Sequence, residues 1–336
     1  MVRIGIMGLG FMGRMHIAAY EKIGDCKIVA VADRNPVRAA GDLSGGWGNI
    51  PGAAEKLDMT HIRGYTDYQQ LLDDPNIDAV DICLPTFVHE EWAIKALAAG
   101  KHVMCEKPLA LDSASAQRIA DAAAKAKGIF MPAMCIRFWP EWAWLKRAVA
   151  ERRYGRVLDA QFHRVGAIPQ GWFREGDKSG GAVLDLHVHD TDFVYHLFGM
   201  PHAVFSRGYN GPSGRIDAVM THYLYNDDDG PPAVFAEGNW AVDQKFPFNM
   251  RYRVNFERAT VEYNVANTPP LILAHDGQCE PVTLEGDGYF HELSYFVGCC
   301  QRGEQPRIVT VADAVNSIRI VEAEAKSVQT GQIVSL

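Results

Sequence analysis

An apolar run at His102–Cys105 leads directly into Glu106, Lys107 and Pro108, within the stretch "GKHVMCEKPLALD". A lysine at the end of a strand can hydrogen-bond an oxygen and stabilise negative charge as it develops. The same three residues also suit an ordinary strand-end turn with a solvated lysine. A second stretch, "SGGAVLDLHVHDTDFVYHLFG", carries acids and imidazoles at helical spacing. If it is helical from Gly180, then Asp185, His189, Asp192 and His196 fall at i, i+4, i+7 and i+11 and form one polar stripe. An aspartate one turn from a histidine can fix the imidazole, and the imidazole can take a proton near neutral pH. A solvated face and a metal site compete with that reading. His187 and His189 would diverge by about 200° around a helix, and no HExxH spacing occurs, so no metal is expected.

A third constellation lies at the N-terminus. "IMGLGFMGRMH" places Gly8, Gly10 and Gly13 in G-x-G-x-x-G spacing, after an apolar run and before a helical pattern. In that context Gly8 allows a tight turn, Gly10 lets backbone approach a pyrophosphate at the helix N-terminus, and Gly13 permits close helix packing. Asp33 ends the next apolar run, where a carboxylate can accept from a ribose hydroxyl. Asp33 favours NAD, since it would repel a 2′-phosphate. Arg34 and Arg38 stand close enough to offset this, so NADP remains open.

Elements must hold these groups in place. Through residue 134, short apolar runs alternate with helical patterns: Val2–Met7, Lys27–Ala32, Ala79–Leu84, His102–Cys105 and Ile129–Met134 read as strands. Near-continuous apolar strands separated by helices argue a parallel sheet covered on both faces. The Gly46–Ile62 excursion lacks that rhythm and reads as surface. From 135 to 336 the pattern is α+β. Turn signals at "YNGPSGR" and "YNDDDGPP" separate alternating runs, and two helical segments close the chain. The expected architecture is α/β: a doubly wound Rossmann domain over 1–134, then a domain over 135–336 with a large, mostly antiparallel open sheet.

Composition narrows the partners. The chain has 336 residues, 48% of them hydrophobic, with a formal net charge of -8 and no polybasic run, which leaves nucleic acid and anionic membranes without electrostatic support. No apolar stretch approaches the ~20 residues of a membrane helix. Seven cysteines without CxxC pairing fit reduced thiols and a cytoplasmic location.

Together, "GLGFMG", "LPTFVHEEWAIKALAAGKHVMCEKPLA", "GGAVLDLHVHDTD" and "GYFHELSYFVGCCQRG" resemble the motifs of the Gfo/Idh/MocA oxidoreductase family, and the resemblance covers nearly the whole chain. It implies an NAD(P)-dependent oxidoreductase that moves a hydride between the nicotinamide and a secondary alcohol of a sugar or cyclic polyol. It assigns Lys107 as catalytic lysine, Asp185 as orienting acid and His189 as the acid–base histidine, and it implies a cis Lys107–Pro108 bond. Cofactor contacts extend to Phe11, Met12, Pro85, Thr86, His89 and Glu106. Trp172, Arg137 and His163 are further substrate-binding candidates. His187 stands where the family often has glycine. A homodimer or homotetramer through the second-domain sheet is implied. Two other functions fit the residues: an NAD-using glycoside hydrolase with transient sugar oxidation, and a non-catalytic cofactor-sensing protein.

Overall fold

The computed structural model describes residues 1–45, 48, 52–226 and 230–336. Its strands are β1 (Val2–Met7), β2 (Cys26–Ala32), β3 (Arg63–Tyr65), β4 (Ala79–Ile82), β5 (His102–Glu106), β6 (Phe130–Ala133), β7 (Val157–Val165), β8 (Ala203–Asn210), β9 (Ile216–Leu224), β10 (Ala233–Asn239), β11 (Asn249–Phe256), β12 (Ala259–Asn264), β13 (Leu271–His275), β14 (Gln278–Pro281) and β15 (Val334–Ser335). The helices are α1 (Phe11–Tyr20), α2 (Pro36–Ala39), α3 (Tyr68–Asp73), α4 (His89–Ala98), α5 (Ser113–Lys125), α6 (Pro140–Ala150), α7 (Gly176–Ser179), α8 (Ala182–Asp185), α9 (Val188–Phe198), α10 (Gly288–Arg302) and α11 (Val311–Thr330).

The chain divides into two compact units. The first comprises 1–110, 114–138 and 286–314; the second comprises 111–113, 139–285 and 315–336. Sequence alone places one boundary at 134/135. The difference lies in α10, which packs on α1 in the first unit. Its amphipathic pattern shows that it must be buried but not against what.

The first unit holds a six-stranded parallel sheet in the order β3-β2-β1-β4-β5-β6. This is the doubly wound order, which reverses direction between β1 and β4; ligands of such sheets bind outside the strand C-termini at that point. Ile4, Ile6, Val31, Val80, Ile82, Val103 and Met104 are buried and form its apolar centre. Sequence finds five of these strands to within two residues. It misses β3, a short polar edge strand. Gly46, Trp47 and residues 49–51 of the excursion lie outside the described residues. Of its described parts and their surroundings, Leu43 accepts from the buried Arg14 of α1 at 3.1 Å, and Asp42 bridges to Lys56.

The second unit holds a nine-stranded sheet, β14-β13-β12-β11-β7-β10-β9-β8-β15, antiparallel except for β7 with β10. Trp142 of α6 and Phe193 of α9 meet edge-on at 4.7 Å over Phe162 and Tyr252, so the helices bury one face of the sheet. Strand alternation sends the next residues to the opposite face. "YNGPSGR" makes the β8–β9 turn as expected; "YNDDDGPP" falls partly outside the described residues. Among the described residues, no helix is long and apolar enough to cross a membrane.

Candidate active site

The glycine loop is shaped for close approach. Gly8 follows β1 at φ +91°, and a Cβ there would stand 2.5 Å from the carbonyl oxygen of Cys83. A Cβ on Gly13 would strike the carbonyl of Gly8, so only glycine lets α1 lie this near to β1. Gly10, the N-cap of α1, opens onto free space and offers no side-chain cap. The first N–H groups of α1 and the positive end of its dipole therefore face open space, flanked by half-buried Phe11 and Met12. Asp33 is fixed beside this loop: its Oδ2 accepts from the N–H of Leu9 at 2.9 Å and its Oδ1 from that of Asn35 at 2.8 Å. Each carboxylate oxygen retains a lone pair for a ribose hydroxyl. Arg38 approaches Asp33 at 3.7 Å, while Arg34 lies over the Tyr68 ring at 5.7 Å. These residues fit a dinucleotide.

At the end of β5 the Lys107–Pro108 bond is cis. Glu106 is buried, and its Oε2 accepts from the backbone N–H of Lys107 at 3.0 Å. The Lys107 side chain is half-buried. Beyond it, His89 is fully buried, with Nδ1 2.9 Å from the carbonyl of Pro108 and Nε2 2.7 Å from that of Leu84. Expected against the cofactor, His89 instead braces the loops that leave β4 and β5, and both its ring nitrogens are engaged. Burial lowers its pKa. Pro85 is half-buried and Thr86 buried in the turn between Leu84 and α4.

In the second unit, Gly180 and Gly181 take φ +78° and +77° in succession. A Cβ on Gly181 would stand 2.8 Å from Arg215 Cβ and 2.9 Å from the Ile216 carbonyl, so the motif's glycine pair follows from backbone geometry. Asp217 accepts from the N–H of Ala182 at 3.0 Å and anchors the start of α8. The single helix expected from Gly180 is in fact two, α8 and α9. At their junction the N–H of His187 reaches back five residues to Ala182 at 2.8 Å, a π-type bond that advances the helix phase.

The expected stripe therefore does not run along one uninterrupted helix. Asp185 is buried at the end of α8, and His189 is half-buried in the first turn of α9. Asp192 is a structural anchor, accepting from Ser317 Oγ at 2.9 Å, and His196 packs on Phe193 at 5.9 Å. Asp190 pairs with buried Arg164 at 2.7 Å. His187 is buried beneath the helix, where its ring lies 3.4 Å from the Tyr223 hydroxyl and 3.5 Å from Glu324. The room comes from Gly238 on β10, where a Cβ would approach His187 Cβ to 2.6 Å.

Two substrate candidates lie elsewhere. Arg137 is buried in the first unit, bonded to the Ile308 carbonyl at 2.8 Å and to Asp313 at 3.0 Å. His163 pairs with Glu237 at 2.9 Å on the open face of the sheet, opposite the face that carries α9 through Phe162 and Arg164. Alternation along β7 separates it from His189. Trp172 stacks on Phe173 at 4.0 Å, and Phe173 packs on the cluster of Ile168, Ala182, Leu186 and Trp240 beside α8.

Residues 2–134 match the model for the oxidoreductase family's NAD-binding Rossmann fold, and residues 142–262 match the GFO/IDH/MocA C-terminal domain. The chain belongs to the Gfo/Idh/MocA oxidoreductase family. It is 28% identical to myo-inositol 2-dehydrogenase of Thermotoga maritima, over 100% of this chain and 98% of that protein. It is 27% identical to D-xylose 1-dehydrogenase (NADP(+)) 2 of Haloferax volcanii, over 99% of each. Its fold matches levoglucosan dehydrogenase in complex with NADH and L-sorbose at TM-score 0.84, with 22% identity over 99% of this chain and 98% of that one.

Within this Gfo/Idh/MocA frame, several residues around the site carry no sequence signal. Asp217, Arg164 and Asp190 anchor α8 and α9, yet they come from separate elements at unrelated spacings. Also unheralded is a buried cluster about His16, formed with Asp81 and Glu106.

Proposed function

We propose that this family member is an NAD(P)-dependent dehydrogenase or reductase acting on a secondary alcohol of a sugar or cyclic polyol. One observation carries the reading: the dinucleotide-shaped loop of Gly8, Gly10, Gly13 and Asp33 occurs in the same sheet as Lys107, held at a strand C-terminus by its backbone bond to Glu106. The inositol and xylose dehydrogenases among the relatives support the substrate class.

Gly8, Gly10, Phe11, Met12, Gly13, Asp33 and Arg34 would hold the dinucleotide, with Pro85 and Thr86 lining the adjoining loop. When bound, the nicotinamide supplies the hydride acceptor or donor. An alcohol must lose its proton as hydride leaves carbon. Lys107 hydrogen-bonds the oxygen and stabilises alkoxide charge, His189 accepts the proton, and Asp185 orients the imidazole. Trp172 offers a ring for a sugar face. NAD is preferred because Asp33 repels a 2′-phosphate, while Arg38 softens that repulsion enough for NADP to be used.

We also infer a homodimer or homotetramer through the open sheet face. An antiparallel sheet with one face free of helices would be expected to expose a broad apolar patch. The face instead mixes charge with aromatics, as in the cross-strand row Ile272, Glu262, Arg253, Gln161, Phe235, His222 and Phe205. Such a mosaic suits a two-fold contact in which the same patch meets itself. A monomeric mass at micromolar concentration would reject it. All seven cysteines lie among the described residues and no disulfide joins any of them, which supports a reducing, cytoplasmic setting.

The deciding experiment is Lys107→Met on a panel of polyols and aldoses with NAD and NADP. We expect net accumulation of reduced nicotinamide from the wild type, which transient oxidation by a hydrolase would not give. The variant should lose ~10²–10³-fold in kcat while NAD affinity stays near wild type. Near-normal turnover in the variant would return Glu106-Lys107-Pro108 to an ordinary turn.

A further inference from the structure

Close to the glycine loop, four elements of the first unit bring together a buried polar cluster behind the Glu106-Lys107 turn. His16 of α1 and Asp81 of β4 are both fully buried, with Nδ1 to Oδ2 at 2.7 Å. The other ring nitrogen, Nε2, lies 3.2 Å from Oε1 of Glu106 at the end of β5, an ion-pair distance without hydrogen-bond alignment. The remaining oxygen of Glu106 takes the backbone N–H of Lys107 at 3.0 Å. Cys83 Sγ lies 3.4 Å from His16 Nδ1 and 3.5 Å from Asp81 Oδ1. From α10, the Tyr289 ring stands 6.0 Å from that of His16. Glu292, one turn further on, is buried, and neither of its carboxyl oxygens is hydrogen-bonded among the described residues.

The ring's protonation follows from its neighbours. A carboxylate lies beside each nitrogen, hydrogen-bonded at Nδ1 and at ion-pair distance from Nε2, so a neutral imidazole would leave a lone pair near one of them. With a proton on both nitrogens, the ring is a cation between two anions. Burial opposes that charge, but Asp81 and Cys83 outweigh it and hold the His16 pKa well above its ordinary value. Burial also pushes the Glu292 carboxyl well up, toward its neutral form. His16, Asp81 and Cys83 place their ligand atoms within 4.8 Å of one another, the spread of a metal site. However, two ligands on one zinc at about 2.0–2.1 Å each stand about 3 Å or more apart in a tetrahedral site. The 2.7 Å separation of His16 and Asp81 is that of a shared proton.

We propose that His16 is a positioning residue: a buried imidazolium, oriented by Asp81, that fixes Glu106 so that Glu106 holds Lys107, and that links Lys107 to the helix beginning at the cofactor loop. The proposal rests on the role given to Lys107 above. The physical logic is that of an aspartate holding an imidazole in one protonation state and one orientation. Here the imidazole acts on a carboxylate that in turn acts on backbone.

Asp81→Asn is the informative variant. Asparagine still accepts from Nδ1–H but no longer favours the second proton, so the lone pair on Nε2 would face Glu106 and repel it. The expected result is a ~10²-fold fall in kcat from misplacement of Lys107, with NAD affinity within about threefold of wild type. Glu106→Gln alone sets a donor against the imidazolium and should also be impaired. Combining the two restores a neutral chain: the introduced side-chain amide donates from its NH₂ to Nε2 of His16, and its carbonyl accepts from the N–H of Lys107. Asp81→Asn/Glu106→Gln should therefore recover most of the lost kcat, which simple structural damage would not do.

A second measurement works even if the variants fold poorly. In ¹⁵N-histidine-labelled wild type, with His16→Gln for assignment, both His16 nitrogens should be protonated at neutral pH. A singly protonated ring, full kcat in Asp81→Asn, a double variant no better than the singles, or one zinc bound per chain would each overturn the proposal. Turnover surviving in Lys107→Met would sink the reading of Lys107 itself. A neutral His16 beside an inactive Lys107→Met would sink this proposal alone.

Discussion

Glu106 and Asp190 are both buried carboxylates, each adjacent in sequence to a residue proposed to act on substrate, yet their partners differ in kind. Glu106 bonds the backbone of Lys107 and faces His16. Asp190 turns away from its neighbour His189 and pairs with Arg164, whose guanidinium lies over Trp142 at 5.6 Å. The cause lies in the elements that carry them. β5 is fixed by ladders to β4 and β6, so its terminal acid is available to organise the turn that follows. α9 has no ladder. It is pinned by side chains: Asp190 to Arg164, Thr191 to Glu324 at 3.0 Å, and Asp192 to Ser317. A strand end can devote its polar residues to chemistry, whereas a short helix resting on a sheet devotes most of them to staying in place.

The sharpest way to break this contrast is Arg164→Met. It leaves Asp190 charged and unpaired in the interior, and removing one partner of a buried pair costs about 3–5 kcal/mol. Urea unfolding should show that loss, and Arg164→Met/Asp190→Leu should recover much of it. A loss below about 1 kcal/mol in the single variant would mean that α9 is held by its apolar face alone.

Next in size is the division of labour along α9. His189→Ala should lower kcat by at least ~10²-fold with little change in the unfolding midpoint. Asp192→Ala should do the reverse, losing about 1–3 kcal/mol of stability because the buried hydrogen bond from Ser317 to Asp192 is lost, while kcat stays within a few-fold. If both variants lost activity equally, the continuous stripe suggested by spacing would be the better description after all.

That stripe shows where sequence reading stops. Spacing of i, i+4 and i+7 assumes an unbroken helix, and nothing in "VLDLHVHD" announces the π-type bond from His187 to Ala182. The glycine loop, Asp33 and the Glu106-Lys107-Pro108 turn were legible because strand order and local spacing determine their geometry together. His16, Asp81 and Glu292 were not, because they meet only once α1, β4 and α10 are packed. Arg137 and His163 show the same limit: residue type suggested substrate, whereas Asp313 and Glu237 had already claimed them.

A smaller effect is expected at Asp33. Asp33→Ser removes the charge that disfavours a 2′-phosphate and frees Arg38, now 3.7 Å from that carboxylate. The ratio of kcat/KM for NADP over NAD should rise about tenfold, consistent with one charge pair near a wet surface. Because Asp33 also accepts from Leu9 and Asn35, some general loss of activity should accompany the shift. An unchanged ratio would mean that the ribose is read elsewhere in the loop.

The smallest effect should come from His163→Ala, which tests whether the two faces of the nine-stranded sheet are as separate as alternation makes them. His163 and Glu237 are each about a fifth exposed, at 21%, and partly exposed pairs contribute at most about 1 kcal/mol. The hydrogen bond from His163 holds the Glu237 carboxyl below its usual pKa. A carboxyl depressed in the folded state gives stability that is present above its unfolded pKa and lost as pH falls through the folded one. Removing His163 should therefore lower stability slightly at neutral pH and leave the acid limb flatter, with kcat and KM within twofold of wild type. Any change in assembly should appear as a shift in the concentration at which the oligomer dissociates, because this pair sits in the cross-strand row with Arg251 on one side and Met220 on the other. A tenfold loss of kcat without dissociation would place His163 with the substrate and overturn the assignment of the open face to assembly.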